Sequence, residues 1–181
     1  MTTPSLAIRP ATTADHAAIR AVLAAAYGDY AAVMGPAAWG MYEANMREAL
    51  ADPAAGAWLV AAQAGAVVGC VLLVPPGPWG ATAPEIRLLA VTPAARGLGL
   101  GRALMDACIA RARAAGFPVI QLHTTPMMAV AKALYERMGF VPAPDLDFSP
   151  APGAVVSGYR LVLREAGEDE GAGSREQGAG I

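Results

Sequence analysis

The sequence predicts an α/β domain, a mixed central sheet of about six to seven strands flanked by about four helices. Two patterns carry that expectation. Short β-branched runs such as Val67-Val68 and Val71 to Val74 alternate with longer segments whose apolar residues recur every three or four positions. A glycine-rich connection, Gly97 to Gly101, joins a strand-like run to a helix-like one. The length of 181 residues fits one domain, or one domain with a tail. With 55% hydrophobic and 15% charged residues the chain is too apolar to be disordered throughout, and a net charge of −2 gives no basic field for nucleic acid. A mean hydropathy of +0.40 leaves a membrane span to be examined.

In chain order, Leu6 to Arg9 alternates like a short strand. Thr12 or Thr13 caps a helix expected to run to about Tyr27, with Asp15 in its first turn and Ile19, Val22, Leu23 and Ala26 on one face. Trp39, Tyr42, Met46 and Leu50 place a second helix over Ala37 to Leu50. Glu85 to Val91 reads as a strand stopped by Pro93, and Gly99 to Ala115 as a helix closed by Gly116, with Arg111 awkwardly on its apolar side. Pro118 to Thr124 is a strand, Pro126 to Met138 a helix ended by Gly139, and Phe140-Val141 a short strand. Val155 to Leu163 is the last strand. The expected domain covers 1–165, and 166–181 an acidic disordered tail whose Glu168, Asp169, Glu170 and Glu176 outweigh Arg175, leaving the domain near neutral.

Between Asp52 and Glu85 there is no charged side chain, and Ala54 to Val74 has the hydropathy of a membrane helix. Gln63-Ala64-Gly65-Ala66 interrupts it between two β-branched runs, and Gly56, Gly65 and Gly69 each weaken a helix by about 1 kcal/mol relative to alanine. These features describe a buried hairpin and no membrane partner. Cys70 and Cys108 lie in apolar segments without redox or metal spacing, and Met1 to Pro10 lacks a long apolar core. The expected location is cytoplasmic, with no metal.

The chemistry concentrates between Glu85 and Phe140. Glycines let backbone N–H groups approach an anion, and a helix N-terminus adds unpaired donors, so the natural guest of the loop is a phosphate or pyrophosphate. A P-loop needs Lys-Ser/Thr after its last glycine, but Arg102 follows Gly101. A dinucleotide fingerprint starting at Gly97 or Gly99 meets Arg102 or Leu104 where its third glycine belongs. The loop does fit Arg/Gln-x-x-Gly-x-Gly/Ala, with Arg96, Gly99 and Gly101. Together with Glu85-Ile86-Arg87-Leu88-Leu89-Ala90-Val91-Thr92-Pro93 before it and Ala131-Lys132-Ala133-Leu134-Tyr135-Glu136-Arg137-Met138-Gly139-Phe140 after it, the sequence resembles the GNAT (Gcn5-related) N-acetyltransferase superfamily.

That resemblance implies the GNAT fold, with a cleft where the fourth and fifth strands splay, and transfer of an acetyl group from acetyl-CoA to a primary amine in a ternary complex. It implies that Leu89, Ala90 and Val91 meet the pantetheine and that Gly97, Leu98, Gly99, Leu100, Gly101 and Arg102 meet the pyrophosphate, with Arg96 and Arg102 as phosphate partners. Tyr135 takes the place of the family's acid and Glu85 that of its base, directly or through water. Met128 stands where many relatives carry a cofactor-contacting Asn. His123 reads as a structural histidine rather than a catalytic one. Tyr27, Tyr30, Trp39, Tyr42 and Trp79, with Asp145, Asp147 and Phe148, are expected near an acceptor pocket suited to a cationic amine. The alternative is a non-catalytic acyl-CoA-binding regulatory module, and homodimerisation is left open.

Overall fold

The computed structural model describes residues 6–77, 82–150 and 153–163. Seven strands form one sheet: β1 (Leu6–Pro10), β2 (Ala57–Gln63), β3 (Ala66–Val74), β4 (Glu85–Val91), β5 (Val119–Thr124), β6 (Val141–Pro142) and β7 (Ser157–Val162). Four α-helices accompany them: α1 (His16–Met34), α2 (Pro36–Ala51), α3 (Leu100–Ala114) and α4 (Ala129–Arg137). The strand order is β1-β2-β3-β4-β5-β7-β6. All neighbours are antiparallel except β4 and β5, which run parallel.

The sheet is covered on both faces, and strand alternation sorts the residues between them. Leu59, Val71, Ile86, Ile120 and Leu122 pack with Leu104, Met105 and Cys108 of α3 and Tyr135 of α4. Trp58, Val60, Cys70, Leu72 and Ala90 pack on the opposite face with Ile19, Val22, Leu23 and Tyr27 of α1 and Met46 and Leu50 of α2. The uncharged 54–74 segment therefore holds two strands, buried through their centres and exposed at their turn and first residues. Their two-residue turn has both central φ angles positive, 50° at Ala64 and 83° at Gly65, the handedness that matches strand twist.

Several boundaries differ from those the sequence predicts. α1 continues past Tyr27 to Met34, because alanine propagates the helix through exposed Gly28 until Gly35, at φ 77°, breaks it. The 22 residues Thr13–Met34 are long and apolar enough to cross a bilayer by composition; here Ile19, Val22, Leu23 and Tyr27 cover the sheet instead. α4 starts at Ala129 because the preceding residues form a turn, closed by the Met128 N–H on the Thr125 carbonyl. Arg111 is exposed, as snorkelling requires. The entry to α1 is fixed by Asp15, which accepts two Arg9 hydrogen bonds at 2.7 and 2.8 Å and the Thr12 N–H at 2.8 Å. These contacts hold its carboxyl well below the usual carboxylate range. Trp79 and the 166–181 tail lie outside the described residues.

One glycine sets how the chain after β6 packs on the sheet. A Cβ at Gly158 of β7 would overlap the Leu146 Cβ and stand 3.1 Å from the Ala143 carbonyl, so only hydrogen lets the turn Pro144–Leu146 sit against β7. Gly158→Ala is expected to destabilise the protein by about 1–3 kcal/mol, read as a lower Tm, whereas Gly77→Ala, with open space at its Cβ, stays within about 0.5 kcal/mol.

Candidate active site

β4 and β5 pair only at Glu85↔Gln121 and Ile86↔Leu122 and then separate. The cause lies in β4. Leu72 faces Arg87 and Cys70 faces Ala90, so the single Val71 opposes both Leu88 and Leu89. Leu88 takes up the extra residue at φ 53°, a left-handed conformation that bends and twists the strand. Beyond the bulge, the Thr92 N–H donates to the Val68 carbonyl at 2.9 Å. With Cys70↔Ala90 and Gly69↔Val91 in register, that rung puts the β3-facing groups on Ala90 and Thr92. Leu89 and Val91 consequently turn their N–H and C=O groups into the opening. The Tyr27 hydroxyl donates to the Leu89 carbonyl at 2.7 Å, leaving the Leu89 N–H and both Val91 groups for a guest.

The glycine loop lies at the end of that edge. Gly97 at φ 79° and Gly99 at φ 76° supply two left-handed steps, the second as the N-cap of α3. Among the described residues the N–H groups from Gly97 through Arg102 have no backbone acceptor, and the first helical rung is Ala103 N–H to the Gly99 carbonyl. A Cβ at Gly101 would stand 3.5 Å from Leu134 Cδ2, an ordinary van der Waals contact, so the packing of α3 against α4 does not by itself demand glycine there. Arg96 reaches across to the Ala26 carbonyl at 3.4 Å, and Arg102 pairs loosely with Asp106 at 3.6 Å, both with exposed side chains. Met128 packs against the α1–α2 cluster.

Tyr135 is buried, its ring 6.1 Å from that of Phe140, and its hydroxyl makes no hydrogen bond among the described residues. Burial, and the neighbouring phenols of Tyr42 and Tyr30, push its pKa well up. Tyr27 meets Tyr42 edge-on at 5.7 Å and Tyr30 at 6.0 Å, so phenols from α1, α2 and α4 gather beside the splay. Burial pushes Tyr42 up to about 12. Trp39 lies tilted against Tyr42, their ring centroids 6.1 Å apart.

Glu85 and His123 project from the α1–α2 face, and their side chains meet. His123 Nδ1 lies 3.1 Å from Glu85 Oε1, and Nε2 3.0 Å from the Leu146 carbonyl. Both ring nitrogens face acceptors, a geometry only the imidazolium satisfies completely. Glu85 holds the His123 pKa above its ordinary value against the opposing effect of burial. His123 thus has a partner, Glu85, that the sequence did not reveal. Arg87 approaches Glu85 Oε1 at 3.9 Å and donates from Nη2 to Asn45 Oδ1 at 3.3 Å. Asp145 and Asp147, expected as acceptor-pocket carboxylates, are occupied: Asp145 by Arg160 at 2.7 Å, Asp147 by the Gly158 N–H at 2.7 Å. Phe148 packs edge-on to His123 at 5.4 Å. Sequence reasoning missed Arg87, Asn45 and the Thr124 and Thr125 hydroxyls, which are buried at the end of β5 without a partner among the described residues. The apolar environment of Thr124 carries no sequence signal of an unpaired hydroxyl. No group of three or more metal-ligating side chains occurs among the described residues.

Residues 20–140 match the model of the "Acetyltransferase (GNAT) family". The chain belongs to the GNAT acetyltransferase family. A mycothiol acetyltransferase from Beutenbergia cavernae is 47% identical over 58 residues, 32% of this chain and 20% of its own length. A GNAT structure from Desulfovibrio desulfuricans superposes with a TM-score of 0.69 at 22% identity, covering 88% of this chain and 100% of its own. An acetyltransferase from Salmonella typhimurium, described with its cofactor acetyl-CoA, gives 0.61 at 24% identity, covering 90% and 96%. These structures share the fold. The chain spans about half or less of the length of the curated relatives it matches.

In this GNAT domain the His123 contacts tie β4, β5 and the Pro144–Leu146 turn together at the splay. Because the folded-state pKa of His123 is raised, its contribution is fully present below the ordinary imidazole value and is lost as pH rises through the folded value. Urea unfolding of the protein and of His123→Gln should differ more at about pH 6 than at about pH 9, on either side of that range. A pH-independent difference would mean that the folded imidazole is neutral.

Proposed function

We propose that this domain transfers an acetyl group from acetyl-CoA to a primary amine, by direct attack within a ternary complex. The observation that carries the reading is the row of free backbone groups, from the Leu89 N–H and Val91 at the splayed edge to the partnerless N–H groups of Gly97 through Arg102. Ala90 shapes that edge, with Leu98 and Leu100 spacing the loop donors. An extended amide chain can pair with such an edge as an added strand does, and a pyrophosphate suits a helix N-terminus with Arg96 and Arg102 beside it. Met128 supplies apolar contact in place of an amide. The residues fit acetyl-CoA, which supplies the activated thioester.

The Leu89 N–H polarises the thioester carbonyl. His123 and Arg87 both approach Glu85 on Oε1, so Oε2 takes the proton of the acceptor ammonium, directly or through water. The amine nitrogen then bonds to the acetyl carbon, the carbon–sulfur bond breaks, and the Tyr135 hydroxyl donates to the departing sulfur. The second proton of the new amide nitrogen passes through water to the Tyr135 phenoxide and the first leaves Glu85 for solvent, so that amide and free thiol remain. The setting is one acetyltransferase domain over 1–165 in a reducing cytoplasm, consistent with the free buried thiols Cys70 and Cys108. A non-catalytic acyl-CoA-binding module is the second reading, favoured by the engagement of Glu85 with His123.

Saturating CoA should raise the Tm by several degrees, and absence of a shift overturns both readings. Tyr135→Phe should keep that shift while lowering amine-dependent thiol release about 100-fold, and Glu85→Gln should move the same rate in the same direction. A CoA shift with no thiol release for any amine would select the non-catalytic module.

A further inference from the structure

The acceptor side of the splay carries a cation whose charge is not matched. Arg87 and Glu85 stand two residues apart on β4 and share the face toward α1 and α2. Glu85 is drawn to His123 at 3.1 Å and lies 3.9 Å from Arg87. The one hydrogen bond Arg87 makes among the described residues goes to the neutral Asn45. Asp145 and Asp147, the other carboxylates expected near this pocket, already have partners. With His123 protonated, the three charges Glu85, Arg87 and His123 leave an excess of one positive charge beside the amine-binding space.

We propose that Arg87 anchors a carboxylate of the acceptor, so that the substrate is an amine that also carries a carboxylate, as amino acids do. The inference rests on the acetyl-transfer reading above. The guanidinium keeps Nη1 and one Nη2 hydrogen unpaired among the described residues, the end-on edge that receives a carboxylate through two parallel hydrogen bonds. Asn45 holds the opposite side and restricts the rotation of the fork. Arg87 Nε lies 3.9 Å from Glu85 Oε1, so one small molecule whose ammonium and carboxylate are close together can present the first to Glu85 and the second to the outer edge of Arg87. A purely cationic amine would meet Arg87 without compensation.

The test compares matched acceptors in thiol release from acetyl-CoA: a set of L-α-amino acids and β-alanine, their carboxamides, and the corresponding amines without the carboxylate. The carboxylates are expected to exceed the carboxamides in kcat/KM by about tenfold or more. Arg87→Gln should collapse that ratio mainly by raising KM for the carboxylates, and Arg87→Lys should restore part of it. A retained CoA-induced Tm shift in both variants reports that the fold is intact. Equal or better use of carboxamides by the unaltered protein, or a carboxylate preference that survives Arg87→Gln, overturns the proposal and leaves acetyl transfer standing. Absence of thiol release with every amine overturns acetyl transfer and this proposal together.

Discussion

The left-handed backbone at Leu88 is the constraint on which the rest of the site depends. A non-glycine residue in that region costs about 1–2 kcal/mol, and the cost is met because the neighbours permit no regular alternative. Cys70 and Leu72 are fully buried on either side of Val71, so β3 cannot slip to restore the register. Tyr27 fixes the next carbonyl from the opposite side of the opening. One extra residue in β4 thus produces the splay from β5, the exposed edge at Leu89 and Val91, and a change in which residues face which core. Ile86 lies in the α3–α4 cluster, so Glu85 and Arg87 point to the α1–α2 side. After the bulge Leu89 and Val91 pack toward α3, with Ala90 turned to α1 and α2. A regular strand could not present charged residues to the α1–α2 side at one end and apolar ones to the α3 core at the other in this way.

Most of the architecture was legible in the sequence because it rests on periodicity and on glycine. The β2–β3 hairpin follows from β-branched runs around Gly65, and the anion loop from Gly97 and Gly99, where left-handed geometry selects the residue type. The splay entered only through the family resemblance, and the bulge that causes it was not legible, because leucine at φ 53° has no compositional signature. The length of α1 was misjudged for a related reason: in an alanine-rich chain Gly28 carries little weight as a stop, and the break waits for Gly35. The charge network was the least legible part. Whether Asp145 and Asp147 serve a substrate or the fold depends on Arg160 and Gly158, and whether His123 is isolated depends on Glu85 and Leu146. Those pairings join segments far apart in sequence, which no local pattern encodes.

The same burial that forms the cleft bears on the acid assigned to Tyr135. A phenol whose pKa is pushed well above 10 is a weak donor toward an ordinary thiolate, whose conjugate acid lies near 8.5, if the two are compared in water. The comparison changes inside the domain. Burial pushes the Cys70 and Cys108 thiols up to about 12, through desolvation of the thiolate. A sulfur released beside Tyr135 would be subject to the same penalty, so its basicity rises with that of the phenoxide and the two stay close enough for a hydrogen bond to stabilise the departing charge. In the proposed reaction, the burial that makes Tyr135 a poor acid in isolation would also make the thiolate a better proton acceptor, so the pair would be matched by sharing one environment rather than by a lowered tyrosine pKa.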